Sequence, residues 1–549
     1  MRRIKYIALI IAAGSTFCIN AQEINKQVEV TKAYEPIVAD AFKINHLPVI
    51  NDTVKLKPYF NYVVAKRPVS TQFQIQPISA AKMVGEPISR LYRGYARAGF
   101  GNYITPMAEL SFTDLRSDKH SWGIYMGNHS SFGDITLADD SKVSNTFSHS
   151  AFNLYGKYFL KNAVFSANAY YKHDYYTYYG YDTAIDTAAQ FAGGNQGFNT
   201  IGADLEFKST HIDSSHVNYR ANLDYHYFFD AFDFKEHKVL FDGKIDKYWG
   251  KELVAIDVMT KYFNRDAFSD TSSNLQIGLN PNLSSYNKRW RVNIGVDFIL
   301  DGFNSEFETR LYPQLNIQYD IINQYFIPYI EVDGHLETNN YAKMAAENPY
   351  ILPGQTFRNT NHKLVLGGGV KGNFSKNFYY HFSYNYSLID DMYFFKNDFS
   401  SPDKGKFIVE YDNIRLMKMY GQLTFKPMNK LDFELNGSYY QYNMGNPNIE
   451  PWHKPDFEAN FITHYQFKNK LLFELNVFAV GTRYYKPDAG AIAEKIEPLI
   501  DANLGVEYKF TKMFSAFGRF NNIAAQKSQL WYLYPMHRFN FMLGVNYTF

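Results

Sequence analysis

The chain has 549 residues, of which 46% are hydrophobic and 18% aromatic, and its 56 basic and 54 acidic side chains give a formal charge of +2. This balance offers no basic surface for nucleic acid, so a nucleic-acid partner is excluded. The single cysteine, Cys18, lies in the leader described next, so no disulfide is expected in the mature chain. Tyr and Phe number 46 and 47, which indicates an architecture that exposes many aromatic rings.

Residues 1–21 have the layout of a secretory signal peptide. Three basic residues precede an apolar stretch at 6–13, and a region of small and polar residues ends at Ala21, after which we predict cleavage. The apolar stretch is too short for a membrane anchor, which must span about 30 Å of hydrocarbon. A lipoprotein at Cys18 is an alternative, but the preceding Ser-Thr-Phe lacks the usual leucine and small residues. Cleavage leaves 53 basic and 54 acidic residues, a formal charge of −1.

Residues 22–91 form a segment that we predict to be extended, either in the periplasm or associated with the lumen of the barrel predicted below. Its prolines stand at positions 36, 48, 58, 68 and 77, and the segment shows no long helical period. About 70 residues of this composition cannot bury the core of a plug domain.

In residues 92–549, apolar and polar side chains alternate along the chain, a pattern that predicts a transmembrane antiparallel up-and-down β-barrel. In 217–227, "VNYRANLDYHY", apolar and aromatic residues alternate with polar ones, and 292–300 and 431–436 do the same. One face suits lipid and the other a wet lumen. No apolar run after residue 21 approaches the roughly 18 residues of a membrane helix. A large soluble β-sandwich or solenoid would also alternate, but it would not need so many exposed aromatic rings.

Turn signals predict about 22 strands starting near Arg93, with 20 strands as the alternative. Short polar links recur at 158–164, 248–253, 286–290, 322–326, 374–378, 426–432, 467–473 and 510–514. Longer links stand near 131–147, 174–197, 264–274, 340–360, 390–405, 443–453, 484–498 and 522–537. Outer-membrane barrels have short periplasmic turns and long outer loops, so the last strand should end on the periplasmic side.

The chain ends on a two-faced strand with an aromatic last residue. Its apolar face consists of Phe541, Leu543, Val545, Tyr547 and Phe549. A barrel in lipid must close, so this last strand should pair with the first one. The pattern also resembles the carboxy-terminal signal that the outer-membrane assembly machine recognises. An ordinary edge strand is the alternative.

Residues 517–549 resemble the final hairpin of TonB-dependent receptors. The family pattern has an Asn-rich strand exit, a Lys-containing loop, a Tyr-Pro and an aromatic-ended strand, which here are 521–522, Lys527, 534–535 and 541–549. The resemblance implies a barrel of about 22 strands in the outer membrane, surrounded by lipid and lipopolysaccharide. It further implies transport or binding of a solute at the cell surface, with TonB or a surface lipoprotein as partner.

The sequence departs from this family before the barrel, where segment 22–91 is too short for the usual plug. Residues 28–32, "VEVTK", resemble the short motif that pairs with TonB, although such a pentapeptide also arises by chance. The alternative function is therefore a plugless structural or assembly component of an outer-membrane complex, with no transport activity of its own.

Tyrosines dominate the outer loop predicted near 174–197. The candidates for a ligand-facing role are Tyr175, Tyr176, Tyr178, Tyr179 and Tyr181. Their rings would stack on a sugar or ligand ring, or would extend the aromatic girdle above the membrane.

Catalytic and metal sites are not indicated by the sequence. No nucleophile elbow is present, so we expect a protein that is not an enzyme. His211 and His216 flank a predicted turn, where a solvated turn is favoured over a metal site. We therefore predict no cofactor and no metal.

Overall fold

The computed structural model describes residues 91–549 apart from residues 116, 138, 184–193, 212–213, 268–269, 305 and 401–403. The predicted signal peptide with its cleavage site at Ala21, and all of segment 22–91 except its last residue, lie outside the described residues. The described chain forms a 22-stranded antiparallel sheet that closes on itself, which confirms the predicted barrel and strand number. No helix among the described residues is long and apolar enough to cross a membrane.

The elements are numbered in chain order, and four of the strands lie in loops rather than in the barrel. The first thirteen strands are β1 Gly94–Gly101, β2 Thr105–Thr113, β3 His120–Thr136, β4 Lys142–Phe159, β5 Ala163–Thr177, β6 Asn195–Ser209, β7 Asn218–Phe229, β8 Lys235–Trp249, β9 Glu252–Ala267, β10 Asp270–Tyr286, β11 Trp290–Phe303, β12 Glu306–Tyr319 and β13 Ile327–Glu337. After helix α1, Tyr341–Glu347, come β14 Thr360–Ser375, β15 Phe378–Asn397, β16 Phe407–Met428, β17 Leu431–Met444, β18 Phe457–Phe467, β19 Leu471–Val480, β20 Arg483–Tyr485, β21 Glu494–Ile496, β22 Leu499–Lys509, β23 Phe514–Asn521, β24 Gln529–Trp531, β25 Tyr534–Pro535 and β26 Asn540–Thr548. The pairs β20–β21 and β24–β25 form two small separate sheets.

The barrel closes where β1 pairs with β26, in a register that runs from Tyr95 opposite Thr548 to Gly101 opposite Met542. Phe549 extends this seam beyond the ladder. Its carbonyl oxygen accepts hydrogen bonds from the backbone N–H groups of Arg93 and Gly94, at 2.8 and 2.9 Å. Its ring covers Gly94 so closely that a Cβ at that position would lie 2.1 Å from Cζ of Phe549. The terminal aromatic residue is therefore part of the closure.

The two ends of the barrel differ in the length of their connections. All eight predicted short links contain a turn between paired barrel strands, and these turns lie at the end where Phe549 lies, here named the short-turn end. Connections at the opposite, long-loop end include 338–359, 445–456, 481–498 and 522–539. This division matches the predicted alternation of short and long links.

Three of the predicted long links are wrong in extent. Strand residues make up most of 131–147 and 264–274 and half of 390–405, because β3 continues to Thr136, β9 to Ala267 and β15 to Asn397. Their residues are polar or mixed, which resembled a loop. The ladders nevertheless continue, since a paired backbone does not require an apolar outer face. Several strands are therefore longer than the apolar band around the barrel.

The outward face is apolar and the inward face polar, as the alternation predicted. Leu435 and Leu543 point outward with 47% and 55% of their surface exposed. Asn436, the neighbour of Leu435, donates from Nδ2 to Oε1 of Glu434 at 2.9 Å on the lumen side. The outward face of β26 carries four residues of the predicted assembly signal, and the fifth, Phe549, follows the strand; each of the five is more than a third exposed. Recognition of that signal stays a prediction.

We expect removal of Phe549 to weaken closure of the barrel. The deletion removes the ring over Gly94 and the backbone bonds at the end of the seam, each bond contributing about 0.5–1.5 kcal/mol. Export should be unaffected, while the fraction of heat-modifiable, membrane-inserted protein on unboiled gels should fall. Phe510→Ala is the matched control, because Phe510 is an exposed aromatic residue in a turn at the same end. Normal insertion of the truncated chain would contradict a role for Phe549.

We expect the two faces to tolerate charge differently. Leu435→Arg places a cation in the outward apolar band and should lower the free energy of unfolding in lipid vesicles by about 2–4 kcal/mol at mid-depth. Asn436→Arg should cost less, because the lumen side supplies Glu434 as a counter-ion. Urea unfolding in vesicles measures both variants, and equal losses would show that the faces are assigned wrongly.

Candidate functional site

The long-loop end is closed by inward-folded loops, here named the cap. The cap comprises the described residues of 178–183, 230–234, 338–359, 404–406 and 522–539. Its buried core, together with the adjoining strand ends, consists of Ile135, Leu137, Tyr178, Tyr179, Phe198, Phe228, Phe234, Tyr341, Met344, Ala345, Tyr350, Ile351, Phe357, Tyr393, Phe395, Phe407, Trp531 and Tyr534. These residues come from strands and loops spread around the ring, so the core bridges the mouth of the barrel.

Two tyrosines form the centre of the cap. The rings of Tyr350 and Tyr534 stack with centroids 3.5 Å apart, and Tyr179 meets Tyr534 edge-on at 4.9 Å. The Tyr534 hydroxyl donates to the carbonyl oxygen of Gly405 at 2.7 Å, and the Tyr179 hydroxyl donates to that of Pro535 at 2.9 Å. Loops that follow β5, β13, β15 and β23 are thereby joined at one place. Aromatic pairs in such geometry contribute beyond their buried area.

Tyr341, the first residue of α1, attaches the longest of these loops to the β7–β8 side of the mouth. The side chain is fully buried, and its ring centroid lies 4.3 Å from that of Phe234. Its hydroxyl donates to Oδ2 of Asp230 at 3.0 Å and accepts from Nε2 of Gln196 at 3.3 Å. The pKa of Tyr341 is raised well above its usual value, mainly because the phenol is buried. The nearby Asp230 carboxylate raises this pKa further. The phenol therefore stays protonated and can donate to Asp230.

Glu236 holds the start of α1 from the side of β8. Its buried carboxylate accepts hydrogen bonds from the Asn340 amide and, at 3.2 Å, from the backbone N–H of Tyr341. Nε of Arg265 lies 3.8 Å from Oε2 of Glu236, and the Arg265 guanidinium lies 5.5 Å from the ring centroid of Phe357. Both charged side chains are almost completely buried. Breaking such a pair by removing one partner leaves an uncompensated buried charge, so the arrangement fixes α1 in one position.

The lumen wall carries a polar pocket of about 530 Å³ on strands β6 to β12. Asn282 donates from Nδ2 to Oδ2 of Asp257 at 2.7 Å, and Asn280 donates to Oε1 of Gln314 at 2.8 Å. Asp297, which the alternation had placed on the lumen face, also lines this pocket. Amide and carboxylate groups of this kind can form hydrogen bonds with a polar solute.

The predicted ligand-facing tyrosines lie in and around the cap core. Tyr178 and Tyr179 are buried, and Tyr176 and Tyr181 pack against the core. Tyr175 precedes Tyr176 in β5 and therefore points to the opposite face of that strand. Their contact with a ligand stays a prediction.

His211 and His216 lie at the turn between β6 and β7, where their rings stack with centroids 4.5 Å apart. Within the part of the chain that the structure describes, no group of three potential metal-ligating side chains was found.

Sequence reasoning missed the residues that hold the cap together. Asp230 and Glu236 look like ordinary polar residues at the end of a hairpin, and their partners Gln196 and Tyr341 are far away in the chain. One signal was present, because Tyr534 belongs to the Tyr-Pro pair of the predicted final hairpin. Its packing against Tyr350 could not be read from local pattern.

Comparisons with known proteins identify the fold. No family model matches the chain, and no curated protein matches it. The ferric-catecholate import receptor Fiu from E. coli K12 is 10% identical with a TM-score of 0.61, over 84% of this chain and 82% of that one. The FrpB iron transporter from Neisseria meningitidis is 8% identical with a TM-score of 0.66, over 84% and 82%.

The pyoverdine outer membrane receptor FpvA from Pseudomonas aeruginosa PAO1, solved with bound pyoverdine, is 9% identical with a TM-score of 0.63, over 84% of this chain and 79% of that one. At such identities the likeness concerns the fold alone. It confirms that the barrel of this chain is similar to the barrels of TonB-dependent receptors.

Proposed function

We propose that the chain is a non-enzymatic outer-membrane β-barrel that transports or binds a solute at the cell surface, with the cap as its gate. The observation that carries this proposal is the cap itself, in which loops from several places on the ring meet over the mouth of the barrel. The polar pocket on the lumen wall supplies groups that a solute can contact once the cap is open. The fold shared with Fiu, FrpB and FpvA supports a role of the transport class.

The proposed orientation follows from the two ends of the barrel. The short-turn end would face the periplasm and the long-loop end the cell exterior, with lipid and lipopolysaccharide around the apolar outward face. The assembly machine would insert the chain through its last strand. TonB or a surface lipoprotein would be the functional partner.

A structural role without transport is the second candidate, and the tight closure of the cap favours it. The buried hydrogen bonds of Tyr341 and Glu236 and the stacked centre at Tyr350 would hold a permanently sealed barrel equally well. The two functions differ in whether the cap opens and in which partner binds.

We expect Tyr341→Ala to open the cap. The change deletes a fully buried aromatic side chain, which costs about 3–5 kcal/mol, and leaves Asp230 and Gln196 without their hydroxyl partner. Single-channel conductance in planar bilayers should rise well above that of the wild type.

The matched control is Phe232→Ala, because Phe232 belongs to the same cap but is 42% exposed. Its conductance should equal that of the wild type. A Tyr341→Ala barrel that stays as closed as the control would contradict the gating role of the cap.

A third variant, lacking residues 24–85 behind an intact signal, tests the predicted lumen-associated role of segment 22–91. Unchanged low conductance would refute that role.

Pull-down of the tagged full-length protein from outer membranes separates the two functions. For energised transport, we expect TonB to copurify and to be lost when residues 28–32 are replaced by a Gly-Ser sequence of equal length. A scrambled 22–27 segment is the control. Copurification of the assembly machine with neither TonB nor a surface lipoprotein, unaffected by the 28–32 replacement, would support the structural role and contradict transport.

A further inference from the structure

Arg483, at the long-loop end, is a buried arginine that has no counter-ion among the described residues. It begins β20, which pairs with β21 in the loop between β19 and β22. The residue is 1% exposed, and its Nη1 donates to the carbonyl oxygen of Leu530 at 2.9 Å. The other two nitrogens, Nε and Nη2, are buried and donate to no acceptor within the part of the chain that the structure describes. One hydrogen bond therefore anchors a guanidinium that has most of its donors unused.

The two unused nitrogens have a particular geometry. Nε and Nη2 lie on the same edge of the guanidinium plane, and their N–H bonds run parallel. This edge matches two oxygen atoms of one carboxylate or phosphate group, which it binds through two charge-assisted hydrogen bonds. Burial of a cation without such a partner is strongly unfavourable. Burial accordingly lowers the pKa of Arg483.

The charged and titratable neighbours do not compensate Arg483. Burial lowers the pKa of His453 to about 3, so its ring is neutral and donates from Nδ1 to the carbonyl oxygen of Phe395 at 2.8 Å. Lys454 is paired with Glu347 at 2.5 Å. Asp456, at the end of the connection between β17 and β18, directs Oδ1 toward Gly481, and that atom has no hydrogen-bond partner among the residues described. Among the described residues, no carboxylate forms an ion pair with Arg483.

We propose that Arg483 recognises an oxyanion, a carboxylate or phosphate group of the solute, and that this pairing opens the neighbouring part of the long-loop end. Both free nitrogens are completely buried in the closed state, so an oxyanion has no room beside them. Pairing therefore requires the β20–β21 hairpin to separate from residues 529–531. The consequence for transport rests on the proposed function, whereas the pairing itself does not.

Hydrogen exchange of the purified full-length protein tests the pairing without any transport assay. Peptides covering 481–498 and 522–539 are compared in inorganic phosphate, in acetate and in chloride at equal ionic strength. In the wild type, phosphate or acetate should speed exchange in both peptides by about tenfold relative to chloride, since one charge-assisted hydrogen bond contributes enough for that factor. The arm that responds identifies phosphate or carboxylate as the preferred group.

Arg483→Met should abolish this response, because methionine is also unbranched but lacks the guanidinium edge formed by Nε and Nη2. Lys495→Met is the matched control, since Lys495 lies in the same hairpin and is exposed, and it should respond like the wild type. An equal response in Arg483→Met, or an equal response of the wild type to chloride, would overturn the proposal.

Arg483→Lys is the second test variant, to be used if the Arg483→Met protein does not assemble into a barrel. It keeps the charge but lacks the two parallel N–H bonds of the guanidinium edge, so its response to phosphate or acetate should be smaller than that of the wild type. A response in Arg483→Lys equal to that of the wild type would also overturn the proposal. Failure of the gating experiment with Tyr341→Ala leaves the exchange result unchanged, so the two proposals fail separately.

Discussion

Pairing of every backbone N–H and C=O group is the constraint on which the rest of this structure depends. A sheet with a free edge cannot satisfy those groups in hydrocarbon, where no water can replace a missing partner. The chain meets this requirement by pairing β1 with β26, and the bonds of Phe549 to residues 93–94 extend that seam to the last residue. The ladder between β12 and β13 is the least regular part of the ring, since only Leu315 to Gln318 are in register with their partners. Pro313 lies two residues before the start of this ladder, and its missing N–H gives a physical reason for the end of the pairing.

Closure of a large ring creates a second problem, which the cap solves. Twenty-two strands enclose a wide lumen that side chains of the wall alone cannot fill. The loops therefore reach inward, and their aromatic rings supply the contact area that a hydrophobic core needs. Polar contacts then favour one arrangement among the many that such rings would allow, because the Tyr341 hydroxyl and backbone N–H reach Asp230 and Glu236 when α1 occupies the observed position.

The fold could be predicted from local pattern, whereas the cap could not. Alternation predicts the faces because the side-chain period of a strand is two, and the short Lys- and Asn-rich links predict the turns because those residues form tight polar connections. The predicted loop at 131–147 was wrong because polar sequence does not by itself end a ladder, as the pairing of Asp134 with Ser144 shows. The cap depends on contacts such as Tyr350 with Tyr534, across 184 positions of the chain. Local periodicity carries no information about contacts at that separation.

Two buried arginines show that the long-loop end is not uniformly fixed. Arg265 lies beside the carboxylate of Glu236 and near the ring of Phe357, so its charge is compensated in the closed state. Arg483 has one hydrogen bond to a backbone carbonyl oxygen and, in the described part of the chain, no carboxylate partner. Opening on the α1 side would separate the ion pair of Arg265 and Glu236. Opening at the β20–β21 hairpin would instead give the uncompensated charge of Arg483 access to water or an anion. The electrostatic cost of movement is therefore lower at the hairpin, and an opening that begins there can proceed while α1 remains attached to β8.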